Sequence, residues 1–164
     1  MTEQIRHKPH TKLQRPREIV VVVPALKSNV NLSRMVRLVS CAGITKIITS
    51  GNPKVDAKIA RDGAEQVEIV HKRTLLPVLK QLKSDGFHIV GLEQTDDSKN
   101  LFEYQFERKT ALLIGHERHG IPETELAVTD DCIEIPVYGL PDSYNVVTAT
   151  TMAVYEYCRQ FPTG

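Results

Sequence analysis

The sequence predicts an α/β fold, a doubly wound parallel sheet flanked by helices in a single domain. Three observations carry that expectation. Short β-branched runs read as strands buried on both faces, segments with apolar residues at helical spacing alternate with them, and no internal repeat, low-complexity tract or linker divides the chain. With 164 residues, 41% of them apolar and 25% charged, one core suffices without metal or disulfide staples, and wholesale disorder is excluded.

The elements follow in order. Ile19 to Ala25 is the first strand, and Pro24, which has no N–H for a ladder, marks its end. From Asn31, placed to cap a helix, Leu32, Met35, Val36 and Val39 share one face and Gly43 stops the helix; Arg34, Arg37 and Cys41 point away from the core. Lys46 to Thr49 is a short strand, Asp56 to Arg61 a short helix and Val67 to Val70 another strand. Thr74 to Lys83 is a helix that tolerates Pro77 in its first turn. Phe87 to Glu93, Ala111 to Ile114 and Cys132 to Val137 are strands, with a short helix near Glu123 to Val128 before the last. Asn145 to Gln160 closes the chain as a helix whose stripe of Val146, Ala149, Ala153 and Tyr157 is widened by Val147, Val154 and Cys158. So wide an apolar arc fits a helix sunk in its own core, or one shared between the sheet and a second subunit.

The formal net charge is only +1, so a nucleic-acid partner has to be met by a local basic patch. Arg6, Lys8, Lys12, Arg15 and Arg17 crowd the start of the chain with His7 and His10, opposed only by Glu3 and Glu18. Residues 1–18 therefore read either as a basic arm or as a solvated, disordered terminus, and residues 19–164 as the domain. Cys41, Cys132 and Cys158 form neither a C-x-x-C pair nor an even disulfide framework and are expected to be buried thiols in a reducing compartment. No apolar signal-like stretch opens the chain and no run approaches the ~18 apolar residues of a membrane span, so a soluble, cytoplasmic protein is expected.

Ligands of open α/β sheets sit beyond the carboxyl ends of the strands, which singles out three loops. The first, Asn29 to Arg37, offers Asn31 and an outward Arg37; a capping Asn beside a solvated Arg is the plainer meaning of that stretch. The second reads Gly115-His116-Glu117-Arg118-His119-Gly120-Ile121-Pro122, where Gly115 would let a ligand approach the backbone and Gly120 can take positive φ. The third, Ile135 to Asn145, brings Ser143 and Asn145 to a helix N-terminus, where free N–H groups favour a carboxylate or phosphate; a capped helix after a Pro/Gly turn would show the same two residues.

Taken together in this order and spacing, the three stretches resemble the motifs of the SpoU-type (TrmH-like) RNA 2′-O-methyltransferases of the SPOUT superfamily. The family's Asn, small residue and Arg match Asn31, Ser33 and Arg37, and its Gly-x-Glu-x-x-Gly matches Gly115, Glu117 and Gly120. Its Ile-Pro, Gly and Ser-Leu-Asn match Ile135-Pro136, Gly139 and Ser143-Tyr144-Asn145, with Tyr144 in place of the usual Leu; Arg34 stands where a small or apolar residue is common. The resemblance runs from Ile19 to Gln160.

It implies a SPOUT-type Rossmann-like fold with a C-terminal trefoil knot, and methylation of an RNA ribose 2′-hydroxyl by S-adenosylmethionine without a metal. Gly115, Ile135, Leu140, Ser143 and Tyr144 would line the cofactor site, largely through backbone. Arg37 would stabilise the developing alkoxide, with Asn31, Glu117, Ser143 and Asn145 orienting it and the RNA. The family works as homodimers with the site near the subunit interface. The Leu92-Glu93-Gln94-Thr95 stretch resembles tRNA-modifying members more than rRNA-modifying ones, so tRNA is the expected substrate and rRNA the second choice. A catalytically inactive RNA-binding SPOUT-like module is the rival reading. A dinucleotide oxidoreductase or a hydrolase lacks its fingerprint, since neither G-x-G-x-x-G nor G-x-S-x-G occurs.

Overall fold

The computed structural model describes all of residues 1–164. Seven strands make one parallel sheet: β1 (Ile19–Val23), β2 (Lys46–Ser50), β3 (Glu68–Lys72), β4 (His88–Leu92), β5 (Lys99–Asn100), β6 (Thr110–Ile114) and β7 (Asp131–Glu134). Their order across the sheet is β3-β2-β1-β6-β4-β7-β5. The helices are α1 (Asn29–Cys41), α2 (Ala57–Ala60), α3 (Gly63–Gln66), α4 (Leu76–Ser84), α5 (Glu123–Leu126) and α6 (Val146–Gln160).

β1 is buried at every position because helices cover both faces of the sheet. Ile19, Val21 and Val23 pack with Met35, Val36 and Val39 of α1 and with Ala153, Val154 and Tyr157 of α6. Val20 and Val22 face the other way, toward Leu79 and Leu82 of α4. Each such buried Val or Leu contributes about 1.5–3 kcal/mol relative to an exposed one, so the uninterrupted run that marked the strand also holds the two layers together. β1 ends at Val23 and not at Ala25: Pro24 cannot donate, and the Ala25 N–H turns to Ser50 Oγ at 2.8 Å.

Two elements escaped the sequence reading. β5 is two residues long and α3 a single turn, too short for either periodicity to register. The expected cap of the first helix is also corrected. Ser28, not Asn31, caps α1, accepting from the Asn31 N–H through Oγ, so the Asn31 side chain is free for another partner. Cys41 is exposed on the outer face of α1 and Cys132 and Cys158 are half-buried, so the expectation of three buried thiols does not hold. No helix is long and apolar enough to cross a membrane.

The basic start of the chain divides in two. The Gln14 N–H donates to Thr163 O at 2.9 Å, and the Arg17 guanidinium donates to Ala42 O at 2.7 Å and Phe161 O at 2.6 Å, where α1 and α6 end. Residues 13–18 are thereby held on the body, while residues 1–12 are exposed and carry no regular structure.

The chain runs from β1 outward to β2 and β3 on one side, and occupies the other side with β6, β4, β7 and β5. The reversal falls between β1 and β6, whose registers pair Val21 with Leu112 and Val22 with Leu113. A crevice at the carboxyl ends of these two strands is where such a sheet takes ligands.

Candidate active site

The crevice is closed by a contact between the loops that follow its two strands. Asn31, in the first turn of α1, donates its Nδ2 to Glu117 Oε1 at 3.2 Å, and the Lys27 N–H donates to Glu117 Oε2 at 3.3 Å. The side chain of Glu117 is 20% exposed, and His116 Nε2 lies 3.6 Å from its Oε2. Burial alone would raise its pKa. Hydrogen bonds from its own backbone N–H, from Asn31 and from Lys27, together with the nearby His116, outweigh that and hold it below the usual carboxylate range. Glu117 is thus kept as a carboxylate, an acceptor fixed across the switch point.

The loop carrying it is short and tied at several points. His116 and Gly120 exchange backbone hydrogen bonds at 3.0 Å in both directions, with Gly120 at φ +64° closing the turn. His116 Nδ1 accepts from the Arg118 N–H at 3.1 Å, and its ring stacks on that of His119 with centroids 4.9 Å apart. From the end of β4, Glu93 reaches over to accept the Ile121 N–H at 3.0 Å. A Cβ on Gly115 would lie 3.1 Å from Glu93 Oε2 and 3.1 Å from the Gly120 carbonyl carbon. The inner side of Gly115 is therefore occupied by protein, and a side chain there would press on the Glu93 carboxylate.

The loop after β7 is built differently. From Pro136 to Tyr144 no backbone group enters a backbone hydrogen bond. Tyr138 and Leu140 are 93% and 88% exposed, and Tyr144 is exposed as well. Ile135 is buried in the core, so only its backbone can face the crevice. The structure ties Ser143 to no partner, while Asn145 caps α6, its Oδ1 accepting from the Val147 N–H at 2.9 Å. Free backbone donors and acceptors beside uncovered apolar side chains suit a ligand with both polar edges and apolar faces, as an adenosine has.

Within one chain the structure joins Asn31 and Glu117 and leaves Arg37 apart. Arg37 is exposed on α1, six residues beyond Asn31 and so about 9 Å farther along the helix axis, and makes no hydrogen bond or ion pair. α3 packs closely beneath it: a Cβ on Gly63 would lie 3.3 Å from the Arg37 Cα. The residues that motif reasoning passed over are Glu93 and the Lys27 backbone. The sequence named Glu93 only within Leu92-Glu93-Gln94-Thr95, as a pointer to substrate class and not to the site; its place at a strand's carboxyl end next to β6 was the further signal, because neither residue belongs to the motif it supports.

Comparison with known proteins matches residues 18–155 to the SpoU rRNA Methylase family. A tRNA (guanosine(18)-2′-O)-methyltransferase of Saccharomyces cerevisiae is 32% identical over 151 residues, which is 87% of this chain but only 10% of the yeast protein. The crystal structure of an A. aeolicus TrmH/SpoU tRNA modifying enzyme superposes with a TM-score of 0.85 at 27% identity, covering 92% of this chain and 78% of that one. The SpoU methyltransferase AviRb from Streptomyces viridochromogenes, in complex with the cofactor AdoMet, shares the fold with a TM-score of 0.75 at 23% identity, covering 92% and 63% of the two chains. With its three sequence motifs gathered at the carboxyl edge of a parallel sheet and the family match running across most of its length, the chain belongs to the SpoU methylase family.

Proposed function

We propose that this chain methylates the 2′-hydroxyl of an RNA ribose, using S-adenosylmethionine, with tRNA favoured over rRNA. The observation that carries the reading is the Asn31–Glu117 contact at the switch point, beside a loop whose backbone and apolar side chains are free. The yeast and A. aeolicus relatives are named for action on tRNA, which supports that substrate class. The free backbone of residues 136–144 and the side chains of Leu140 and Tyr144 fit the cofactor, with Gly115, Ile135 and Ser143 completing the lining. When bound, S-adenosylmethionine supplies a methyl group made electrophilic by its sulfonium.

The chain's own residues then have to align the hydroxyl and stabilise the charge that develops on it. Glu117 and Asn31 hold each other and present a fixed polar edge to the ribose, with Ser143 and Asn145 helping to orient the RNA. A guanidinium keeps its proton and is a poor base, so Arg37 acts as the cation for the alkoxide, and the proton passes to an RNA phosphate or to Arg37 after transient deprotonation. The separation of Arg37 from the Asn31–Glu117 pair within one chain supports a homodimer in which the site completes near the subunit boundary. Exposed Val30 and Tyr155, on α1 and α6, are apolar surface available to a second copy. The trefoil knot belongs to the same reading, supported by the position of the last strand, β7, inside the sheet between β4 and β5. Residues 1–12 are the part of the basic arm free to reach RNA, residues 13–18 being tied to the body.

The test is transfer of labelled methyl from S-adenosylmethionine to unmodified tRNA and rRNA, with the methylated nucleotide mapped. Arg37→Ala should lose about 100-fold or more in transfer while unfolding at nearly the wild-type temperature, because the side chain is exposed and unpaired. Tight binding of S-adenosylhomocysteine with no transfer to either RNA would point to a missing partner or a different RNA, and no binding of it would overturn the reading in favour of the inactive module.

A further inference from the structure

We propose that Glu93 is a positioning residue for the methyl transfer: its carboxylate is the post around which the Gly115–Gly120 loop is folded, and through that loop it fixes Glu117 against Asn31. The inference rests on the reading above and concerns a residue outside all three motifs. Glu93 leaves the sheet at the end of β4, the direct neighbour of β6, and is anchored there by its N–H, which donates to Ile133 O at 3.0 Å. Both carboxylate oxygens are engaged. Oε2 accepts from the Ile121 N–H at 3.0 Å and Oε1 from the Gln94 N–H at 3.1 Å.

The two glycines of the motif enclose this carboxylate. A Cβ at Gly120 would collide with Glu93 Oε2, and a Cβ at Gly115 would press on the same oxygen at 3.1 Å. Gly120 also adopts φ +64°, so two independent demands fall on one position. Ile121, immediately after, is buried in the α4-side core, so the Glu93–Ile121 bond ties the loop where it re-enters the body. Glu117 sits between the anchored ends, and a shift of the loop would move its carboxylate away from the Asn31 amide. Removing the Glu93 side chain leaves the Ile121 N–H without its acceptor and opens space beneath both glycines.

The distinguishing feature of a post is reach, not charge. Glu93→Gln keeps the length and one acceptor oxygen for the Ile121 N–H, whereas Glu93→Asp keeps the charge and falls one methylene short. The measurement compares Glu93→Ala, Glu93→Asp and Glu93→Gln for kcat, KM for RNA, Kd for S-adenosylhomocysteine and thermal unfolding. Expected are a fall in kcat of about tenfold or more for Ala and Asp, a kcat within about threefold of wild type for Gln, and Kd for S-adenosylhomocysteine and KM for RNA much less changed throughout. Retention of function by Asp with loss in Gln would show that the charge acts directly and would overturn the assignment. So would Ala and Asp variants that unfold earlier yet turn over like wild type well below their Tm.

A second readout does not depend on activity. Gly120→Ala should lower Tm by at least about 3 °C more in the wild-type chain than in the Glu93→Ala background, where the colliding oxygen is gone. Equal drops in the two backgrounds would mean that the carboxylate does not hold the loop. If the wild type neither binds S-adenosylhomocysteine nor methylates RNA, the functional reading fails while this cycle still decides the post.

Discussion

The loop after β6 and the loop after β7 both leave the carboxyl edge of the sheet but are held in opposite ways. Residues 115–121 are tied by Asn31, by the Lys27 N–H, by Glu93 and by the paired backbone bonds of His116 and Gly120. Residues 136–144 have no backbone hydrogen bond, and Tyr138 and Leu140 lie almost fully in solvent. A carboxylate that must meet a hydroxyl at a set distance gains from being pre-placed, since reorganisation during the reaction is then avoided. A wall that must admit and release a bulky cofactor gains from unsatisfied groups that the cofactor itself satisfies. On the proposed function, the contrast divides alignment from capture between the two loops.

The largest effects should follow that division. Glu117→Ala removes the acceptor shared by Asn31 and Lys27, and transfer is expected to fall about 100-fold with S-adenosylhomocysteine affinity changed much less. Leu140→Ala touches the open loop and should do the reverse, weakening S-adenosylhomocysteine by about tenfold with little loss of kcat at saturation and no change in Tm, since the side chain is 88% exposed. Steady-state kinetics beside calorimetric titration separates them. If both variants lose affinity and rate in the same proportion, the loops do not divide the work.

A smaller effect lies in the dynamics. Amide hydrogen exchange should find residues 137–144 fast in the free protein and slowed about tenfold or more by saturating S-adenosylhomocysteine, with the amides of Gly120 and Ile121 already slow and little altered. Protection of both loops before any ligand is added would break the contrast at its base.

How much of this could be read from the sequence depended on the length of the signal. Ile19–Val23 and the α1 stripe announced themselves because a two-faced strand and a helix must repeat their pattern over several residues. The two-residue β5 and one-turn α3 carry no such repeat. Motif spacing located the three loops and named Asn31 and Glu117, which the fold brings to 3.2 Å. It could not show that Ser28 would take over the cap and release Asn31 for that contact, since Ser and Asn are equally good caps and only geometry chooses between them. Nor could it show Glu93, whose partner Ile121 is 28 residues away and is recognised through its backbone, to which side-chain identity contributes nothing. The Arg17 contacts were hidden for the same reason: an Arg in a basic cluster looks like its neighbours until two helix-end carbonyls are found around it.

The smallest expected effect is a dependence on pH confined to the tied loop. Glu117 has a folded pKa below its ordinary value, so by linkage its contribution to stability is fully present above the unfolded carboxylate pKa of about 4.3 and is lost as pH falls through the lowered folded value. Glu117→Gln has no proton to gain there and lacks this dependence. The difference in Tm between wild type and Glu117→Gln should therefore be greatest near about pH 6 and shrink as the pH is taken toward about 3. A constant difference would mean that the hydrogen bonds from Asn31 and Lys27 do not favour the charged form over the protonated acid. Hydrogen exchange over the same range locates the change: protonation weakens the acceptor of the Lys27 N–H, so Lys27 and the residues around Glu117 should loosen first. Should residues 137–144 respond before them, acid would be acting through the open loop, and the two loops would not differ as fixed and free.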